Sequence, residues 1–395
     1  MRVAVWSELH DWGGGDTHLG NVISNWSLND EIVLFINQGK VDWAKSILSD
    51  SAYAQISVVA IPFSSSANSR RNQWAEVVFL PFYFYWRLFV AKRLLRKHGP
   101  FDAFMANNGG YPGSWSTLAS LGAAASLRIT SRCLIVLHQA VSRLPFRQTV
   151  EQLIDRAVVR WATTIVAISN ATRLTLIERR GFDPARTPIG VVWSGVEDSI
   201  GTSPQLNLRK KLNVEMDLYL IGTLGRLDRC KGHEELVIAL SQVHIDIRSR
   251  IVLCIVGGSD PARVEKLQHL AESFGVKSNV IFAGFIDGHP SGIISQLDLL
   301  ISANQDFEGF GLTIAEAMLV GIPVIATDVG AVREFFDDEV GILVRPGSID
   351  DLTSAIEIAF LERDVMRSRA KVAQTRVRKI TVQKMCHNLR RELLR

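Results

Sequence analysis

The chain has 395 residues, 47% hydrophobic and 21% charged, with a formal net charge of +4 and a pI near 8.9. That length exceeds what one ordinary core holds and predicts two domains of similar size. The charge is too small, and its Lys and Arg too little interleaved with aromatics, for a nucleic-acid stripe, so no nucleic-acid partner is expected; a mildly basic surface suits an anionic small molecule or membrane instead. Cys133, Cys230, Cys254 and Cys386 are far apart with no C-x-x-C spacing, which points away from a zinc site or disulfide framework and fits a reducing compartment.

The chain opens on "MRVAVWSEL", a buried-strand pattern with no apolar signal core before it, so a cytoplasmic location is expected. From there short β-branched runs alternate with amphipathic helical segments, the pattern of α/β domains with doubly wound parallel sheets. Strands are expected near 3–6, 32–36, 56–61, 101–105, 133–137, 165–168 and 189–193, and in a second series near 218–222, 251–256, 280–283, 299–302, 324–326 and 341–344. The Gly, Ser, Thr and Pro cluster "EDSIGTSPQLN" at 197–207 separates the two series and marks the boundary.

Between the third and fourth expected strands lies "VVFLPFYFYW" at 77–86, followed by "RLFVAKRLLRKH". The apolar run is too short to span a bilayer. Two readings stay open: a core helix whose last turn carries cations that suit its dipole, or an aromatic and basic surface for an anionic membrane.

Glycines recur after strands: "GGGD" at 13–16, "GTLGRLDRCKG" at 222–232, "VGGSD" at 256–260 and "EGFG" at 308–311. Ligands of open parallel sheets sit at such strand-to-helix junctions, where glycine lets backbone amides approach a phosphate. In "GRLDRCKG" two cations, Arg226 and Lys231, bracket a tight loop and are suited to neutralise a diphosphate. Lys231 is followed by Gly and His, not Ser or Thr, so a Walker A loop is excluded, and "GGGDTHLG" lacks the dinucleotide spacing. Farther on, Glu308 precedes a Gly-Phe-Gly turn and Glu316 lies about a turn into the helix after it. Carboxylates so placed accept hydrogen bonds from sugar hydroxyls, and the amides of Gly311 and Leu312 are suited to meet a phosphate.

These motifs, with "AISNATRLTL" at 167–176, "WSGVE" at 193–197 and the E-x7-E block within 308–334, resemble the retaining glycosyltransferases of family 4. The resemblance covers nearly the whole chain and is far more specific in its second half. It implies the GT-B fold: two Rossmann-like domains facing a central cleft, at 1–196 for the acceptor and 197–372 for the donor, with a helical tail at 373–395 crossing back to the first domain.

The resemblance also implies roles. Arg226 and Lys231 bind the donor diphosphate, Glu308 faces the donor sugar and Glu316 holds the ribose hydroxyls. Gly311 and Leu312 contact phosphate, Gly14 and Gly15 form the glycine loop that closes on the donor, and His138 stands near the transferred sugar. Asp16, His18 and Asn107 are candidates for acceptor contact, and base recognition falls near Gly284–Ile286.

The implied reaction uses a nucleotide diphosphate sugar as co-substrate, no cofactor and no metal, and agrees with the lack of a D-x-D pair near a strand end. Implied acceptors are glycans or lipid-linked glycans of cell-surface polysaccharide, lipopolysaccharide or glycolipid assembly, with peripheral membrane contact through 77–98. Three departures from the family pattern stand out: "SANQDFEGFG" lacks the usual Pro-Ser pair, Asn107 and Asn108 stand where many members carry histidine, and the tail lacks the aromatic pattern often seen in the family's final helix. A nucleotide-sugar 2-epimerase of the same architecture and a non-catalytic nucleotide-sugar binding subunit are the alternative functions.

Overall fold

The computed structural model describes residues 1–8, 13–27, 29–49, 56–62, 80–145, 148–197, 207–258 and 260–395. The chain forms two compact units, Met1–Gly195 together with Val382–Arg395, and Val196–Thr381.

Unit 1 is built on β1 (Arg2–Ser7), β2 (Glu31–Asn37), β3 (Ile56–Ile61), β4 (Ala103–Asn108), β5 (Ser131–Val136), β6 (Thr164–Ala167) and β7 (Ile189–Val191). They form one sheet in the order β3-β2-β1-β4-β5-β6-β7, every pair parallel. The inner strands are apolar on both faces because helices cover both. Trp6 stacks on Phe35 with ring centroids 5.3 Å apart, and Phe104 and Leu134 continue the same core.

Unit 2 repeats the plan with β8 (Tyr219–Leu224), β9 (Ile251–Val256), β10 (Val280–Gly284), β11 (Leu299–Ser302), β12 (Val324–Thr327) and β13 (Ile342–Val344), ordered β10-β9-β8-β11-β12-β13. In each sheet the winding direction reverses once, between β1 and β4 and between β8 and β11. Crevices outside the carboxyl ends of such strand pairs are where this class of sheet binds ligands.

All thirteen expected strands are present among the described residues, with one instructive displacement. The fourth, expected at 101–105, runs Ala103–Asn108. Paired on both sides, it continues in register until Asn108 meets Val136, so ladder pairing overrides the poor strand propensity of asparagine. Asn107 and Asn108 are therefore strand residues, not loop residues.

The expected tail also begins later. The helix Arg363–Val377 lies in unit 2 and the helix Val382–Leu393 in unit 1, so residues 373–381 belong with unit 2. Arg390 Nε donates to Asp30 Oδ2 at 2.8 Å, and Asp30 also receives the chain's amino group at 3.0 Å and Trp26 Nε1 at 3.1 Å. Most of the expected boundary, 198–206, lies outside the described residues.

The helix Leu80–His98 packs into the core as one reading expected, but with only part of its surface. Phe84, Ala91 and Leu95 are buried, but Phe82, Tyr85 and Phe89 are 70%, 71% and 64% exposed. Only one stripe of the helix packs. Residues 77–79 of that stretch lie outside the described residues.

Behind the loop that follows β5 lies a buried ionic cluster. Arg180, fully buried, donates to Glu151 Oε2 at 2.6 Å and to Asp155 Oδ1 at 2.8 Å. The Tyr111 hydroxyl donates to the same Asp155 oxygen at 2.7 Å, and Arg143 Nε to the other at 2.9 Å. Burial, reinforced by Asp155, pushes the Tyr111 hydroxyl well above its usual value. Arg180→Ala would take the buried guanidinium from Glu151, while Asp155 keeps Arg143 and Tyr111, and breaking a buried pair from one side costs about 3–5 kcal/mol. Urea unfolding measures it, and a loss under about 1 kcal/mol, typical of exposed pairs, would show the cluster to be solvated.

Candidate active site

The chemistry of unit 2 gathers where β8 and β11 end. After β8 the chain turns at Gly225 into Arg226–Lys231 and enters the helix His233–Gln242 through Gly232, whose φ is +71°. A Cβ at Gly232 would collide with the Ala303 carbonyl. The loop after β11 therefore lies directly against it, and Gln305 N donates to Cys230 O at 2.7 Å.

This brings Lys231 Nζ to 3.2 Å from Glu308 Oε2, with the side chains 32% and 17% exposed. Asn304 Nδ2 donates to the same oxygen. Arg226 pairs with Asp228 at 3.0 Å. Glu308 is braced from a third loop: its carbonyl accepts from Ala331 N at 2.9 Å, and a Cβ at Gly330 would strike its backbone.

Gly311, with φ +96°, caps the helix Leu312–Val320, whose first amides have no partner within the helix and carry its positive end. Glu316 lies a turn inside that helix and is buried. Burial pushes its carboxyl up to about 8, so it is protonated at neutral pH. Arg226, Lys231, Glu308 and Gly311 thus lie in the loops after β8 and β11, and Leu312 and Glu316 in the helix that the second loop enters, while the segment at Gly284–Ile286 begins at the last residue of the edge strand β10.

Sequence reasoning missed Asn304, whose only signal was its place in the atypical "SANQDF" approach. It also missed Arg263, whose Nε donates to Leu227 O at 2.9 Å while one guanidinium nitrogen pairs with Glu234 at 2.6 Å. His233 is buried beside these cations, with no partner for Nδ1, and burial lowers it to about 4.

In unit 1, Gly14 and Gly15 open the helix Gly14–Ser24. Asp16, a candidate for acceptor contact, is instead bound within the protein. Its Oδ1 accepts from the buried Lys40 Nζ at 2.5 Å, and its Oδ2 from Gly13 N at 3.0 Å. His18 is likewise turned inward, its Nδ1 2.9 Å from Ser194 Oγ, and burial lowers it to about 4. In a helix that packs its inner face, neither residue was distinguishable by spacing from an outward one.

Asn107 is buried at the β1–β4 reversal, donating to Ser7 Oγ at 3.2 Å, while its Oδ1 has no partner. Beside it Ser114 Oγ donates to Glu8 Oε2 at 2.9 Å. His138 follows β5 by two residues and is half-buried near Gly110.

Residues 204–376 match the family model described as glycosyl transferases group 1. The chain is 30% identical over 148 residues to an O-antigen biosynthesis glycosyltransferase, WclY, of Escherichia coli, covering 37% of this chain and 39% of that protein. It is 31% identical over 207 residues to a phosphatidyl-myo-inositol mannosyltransferase of Mycobacterium leprae, covering 52% and 51%. The matches thus span about half or less of these relatives' own lengths. Anabaena HepE in complex with UDP, a crystal structure, superposes with a TM-score of 0.75 at 21% identity over 100% of both chains. The fold is GT-B.

The two buried histidines make stability pH-dependent. Each is held neutral in the fold at a value near 4, against about 6.5 in the unfolded chain, so their contribution is present above pH 6.5 and is lost as pH falls toward 4. For His18 the loss between pH 7 and 5 is about 2 kcal/mol. Unfolding free energies from urea titrations at the two pH values should differ less in His18→Gln by that amount, and an unchanged difference would show that His18 is hydrated.

Proposed function

We propose that the protein is a retaining glycosyltransferase that moves a hexosyl unit from a nucleotide diphosphate sugar to an acceptor hydroxyl, in polysaccharide, lipopolysaccharide or glycolipid assembly. The observation that carries this reading is the Lys231–Glu308 pair, held at the β8–β11 reversal beside the N-terminus of the helix Leu312–Val320. An ion pair this accessible contributes little to stability, and its cost in loop geometry makes sense as a ligand site.

The principal electrostatic demand of the reaction is the negative charge that develops on the departing diphosphate. Arg226, Lys231 and the Gly311–Leu312 helix end supply positive potential where that charge appears. These groups belong to the chain itself, which supports a metal-independent step. Glu308 faces the sugar and Glu316 the ribose diol. The UDP in the HepE crystal structure supports a nucleoside diphosphate as leaving group.

His138 is assigned near the transferred sugar, and the glycine turn at Gly14 and Gly15 to the donor. In unit 1, the polar group of Asn107, Glu8 and Ser114 suits an acceptor hydroxyl better than the inward-turned Asp16 and His18. The E-x7-E pairing with two cations favours transfer over 2-epimerisation or a non-catalytic binding role.

The exposed rings of Phe82, Tyr85 and Phe89, with Arg93, Arg96 and Lys97 farther along the same helix, support peripheral contact with an anionic membrane and a lipid-linked acceptor. Among the described residues no helix is long and apolar enough to cross a membrane.

A calorimetric screen of UDP, GDP, ADP and their sugar conjugates tests the donor assignment. Arg226→Ala and Lys231→Ala should each lower turnover by about two to three orders of magnitude, the usual effect of removing a preorganised charge contact, with unfolding unchanged. Near-normal rates in both would remove the diphosphate assignment.

Glu316 supplies a second test. Accepting both ribose hydroxyls requires the ionised carboxylate, which is the minor form below its value of about 8. Nucleoside diphosphate affinity should therefore rise about tenfold between pH 7 and 9, in proportion to the competent fraction, with proton release on binding. Glu316→Gln should abolish that slope, whereas an equal slope in the variant would assign it to another group.

A further inference from the structure

Two strand-end loops meet at one carboxylate oxygen. Lys231 Nζ, from the loop after β8, and Asn304 Nδ2, from the loop after β11, both donate to Glu308 Oε2, while Glu308 Oε1 receives neither. The backbone of this junction is held by bonds that do not involve Lys231's side chain. The Asn304 carbonyl accepts from Thr327 Oγ1 at 2.6 Å. Gln305 N and the Glu308 carbonyl are tied to Cys230 and Ala331 as described above, and Asn304 itself is buried.

The arrangement poses an electrostatic problem. Lys231, the cation assigned to the donor diphosphate, is already paired with Glu308. An arriving diphosphate carries more negative charge than one carboxylate and competes for that ammonium. Were Lys231 the sole donor to Glu308, its departure would release the glutamate at the moment when its position against the sugar matters.

We propose that Asn304 is a positioning residue that keeps Glu308 in place while Lys231 passes from the glutamate to the diphosphate. A neutral amide is suited to this. It donates a hydrogen bond without lowering the net negative charge of the glutamate or adding a cation that would hold the diphosphate elsewhere. Because Lys231 and Asn304 share Oε2, the other oxygen is left to the sugar hydroxyl. The atypical approach "SANQDFEGFG" is then a working part of this site, since it places a side-chain amide within reach of Glu308.

This inference rests on the nucleotide-sugar reading of the site, and binding measurements separate the two without an acceptor. Calorimetry with UDP, GDP and ADP identifies the nucleotide that the wild-type protein binds, and the same titration is then made with its hexose conjugate. In Asn304→Ala, affinity for the bare nucleotide should stay within about twofold, whereas affinity for the conjugate should fall about tenfold, the size of one lost charge-assisted hydrogen bond. In a Glu308→Ala background the same substitution should have no further effect on the conjugate, because both changes remove one interaction. Asn304→Asp, which places a second carboxylate within reach of Lys231, should weaken the bare nucleotide as well.

Equal loss of nucleotide and conjugate in Asn304→Ala, or a loss that persists in the Glu308→Ala background, would reduce Asn304 to a structural residue and overturn the inference. Unchanged affinity for both would overturn it while leaving the proposed function standing. Failure of the wild-type protein to bind any of the three nucleotides or their conjugates would overturn the proposed function and this inference with it.

Discussion

The constraint on which unit 2 depends is that an ammonium and a carboxylate from loops 77 residues apart meet at the ends of two parallel strands. Side chains alone do not achieve this; the backbones must first come closer than a Cβ permits. Gly232 meets the Ala303 carbonyl and Gly330 meets the Glu308 backbone at positive φ, where another residue would suffer both strain and collision. The glycines are thus part of the electrostatics: they set the distance at which Lys231 and Glu308 interact. Arg263 and Glu234 act from behind, holding the Leu227 carbonyl so that the loop between the two cations keeps its course.

The two sheets share a winding plan and differ in what they place at its reversal. At the β8–β11 reversal stand cations and a helix end, which suit phosphate. At the β1–β4 reversal stand Ser7, Asn107 and the neighbouring Glu8–Ser114 pair, which suit hydroxyl groups. The same strand order therefore carries two chemistries, decided by which residues occupy the last strand position and the first turn of the following helix. Unit 1 places its charges elsewhere. The Arg180 cluster and the Lys40–Asp16 pair are buried, with their lone pairs and protons satisfied mainly by one another.

Much of this was legible in the sequence because parallel strands buried on both faces read as uninterrupted β-branched runs, and because the motifs of unit 2 concentrate charge and glycine at strand ends. Arg226, Lys231, Glu308 and Glu316 stand out in the sequence for that reason. The candidates in unit 1 were harder. Asp16 and His18 lie two residues apart on one helix, and sequence spacing does not reveal that both are taken up inside, one by a lysine 24 residues on and the other by a serine 176 residues on. The helix Leu80–His98 mixed a packed stripe with an exposed aromatic one, a distinction that only its neighbours decide.

By itself the sequence determined the two α/β domains, the thirteen strands present among the described residues, and the clustering of charge and glycine at the strand ends of unit 2, because periodicity, glycine placement and charge at strand ends are local properties. Tertiary structure alone decided that Asn304 joins Lys231 on one oxygen of Glu308, that burial leaves Glu316 protonated at neutral pH, that Asp16 and His18 face inward, and that the last helix returns to unit 1 through Arg390 and Asp30. Each of these depends on which distant segment supplies a partner or excludes water, and neither distance nor burial is written in the spacing of residues along the chain.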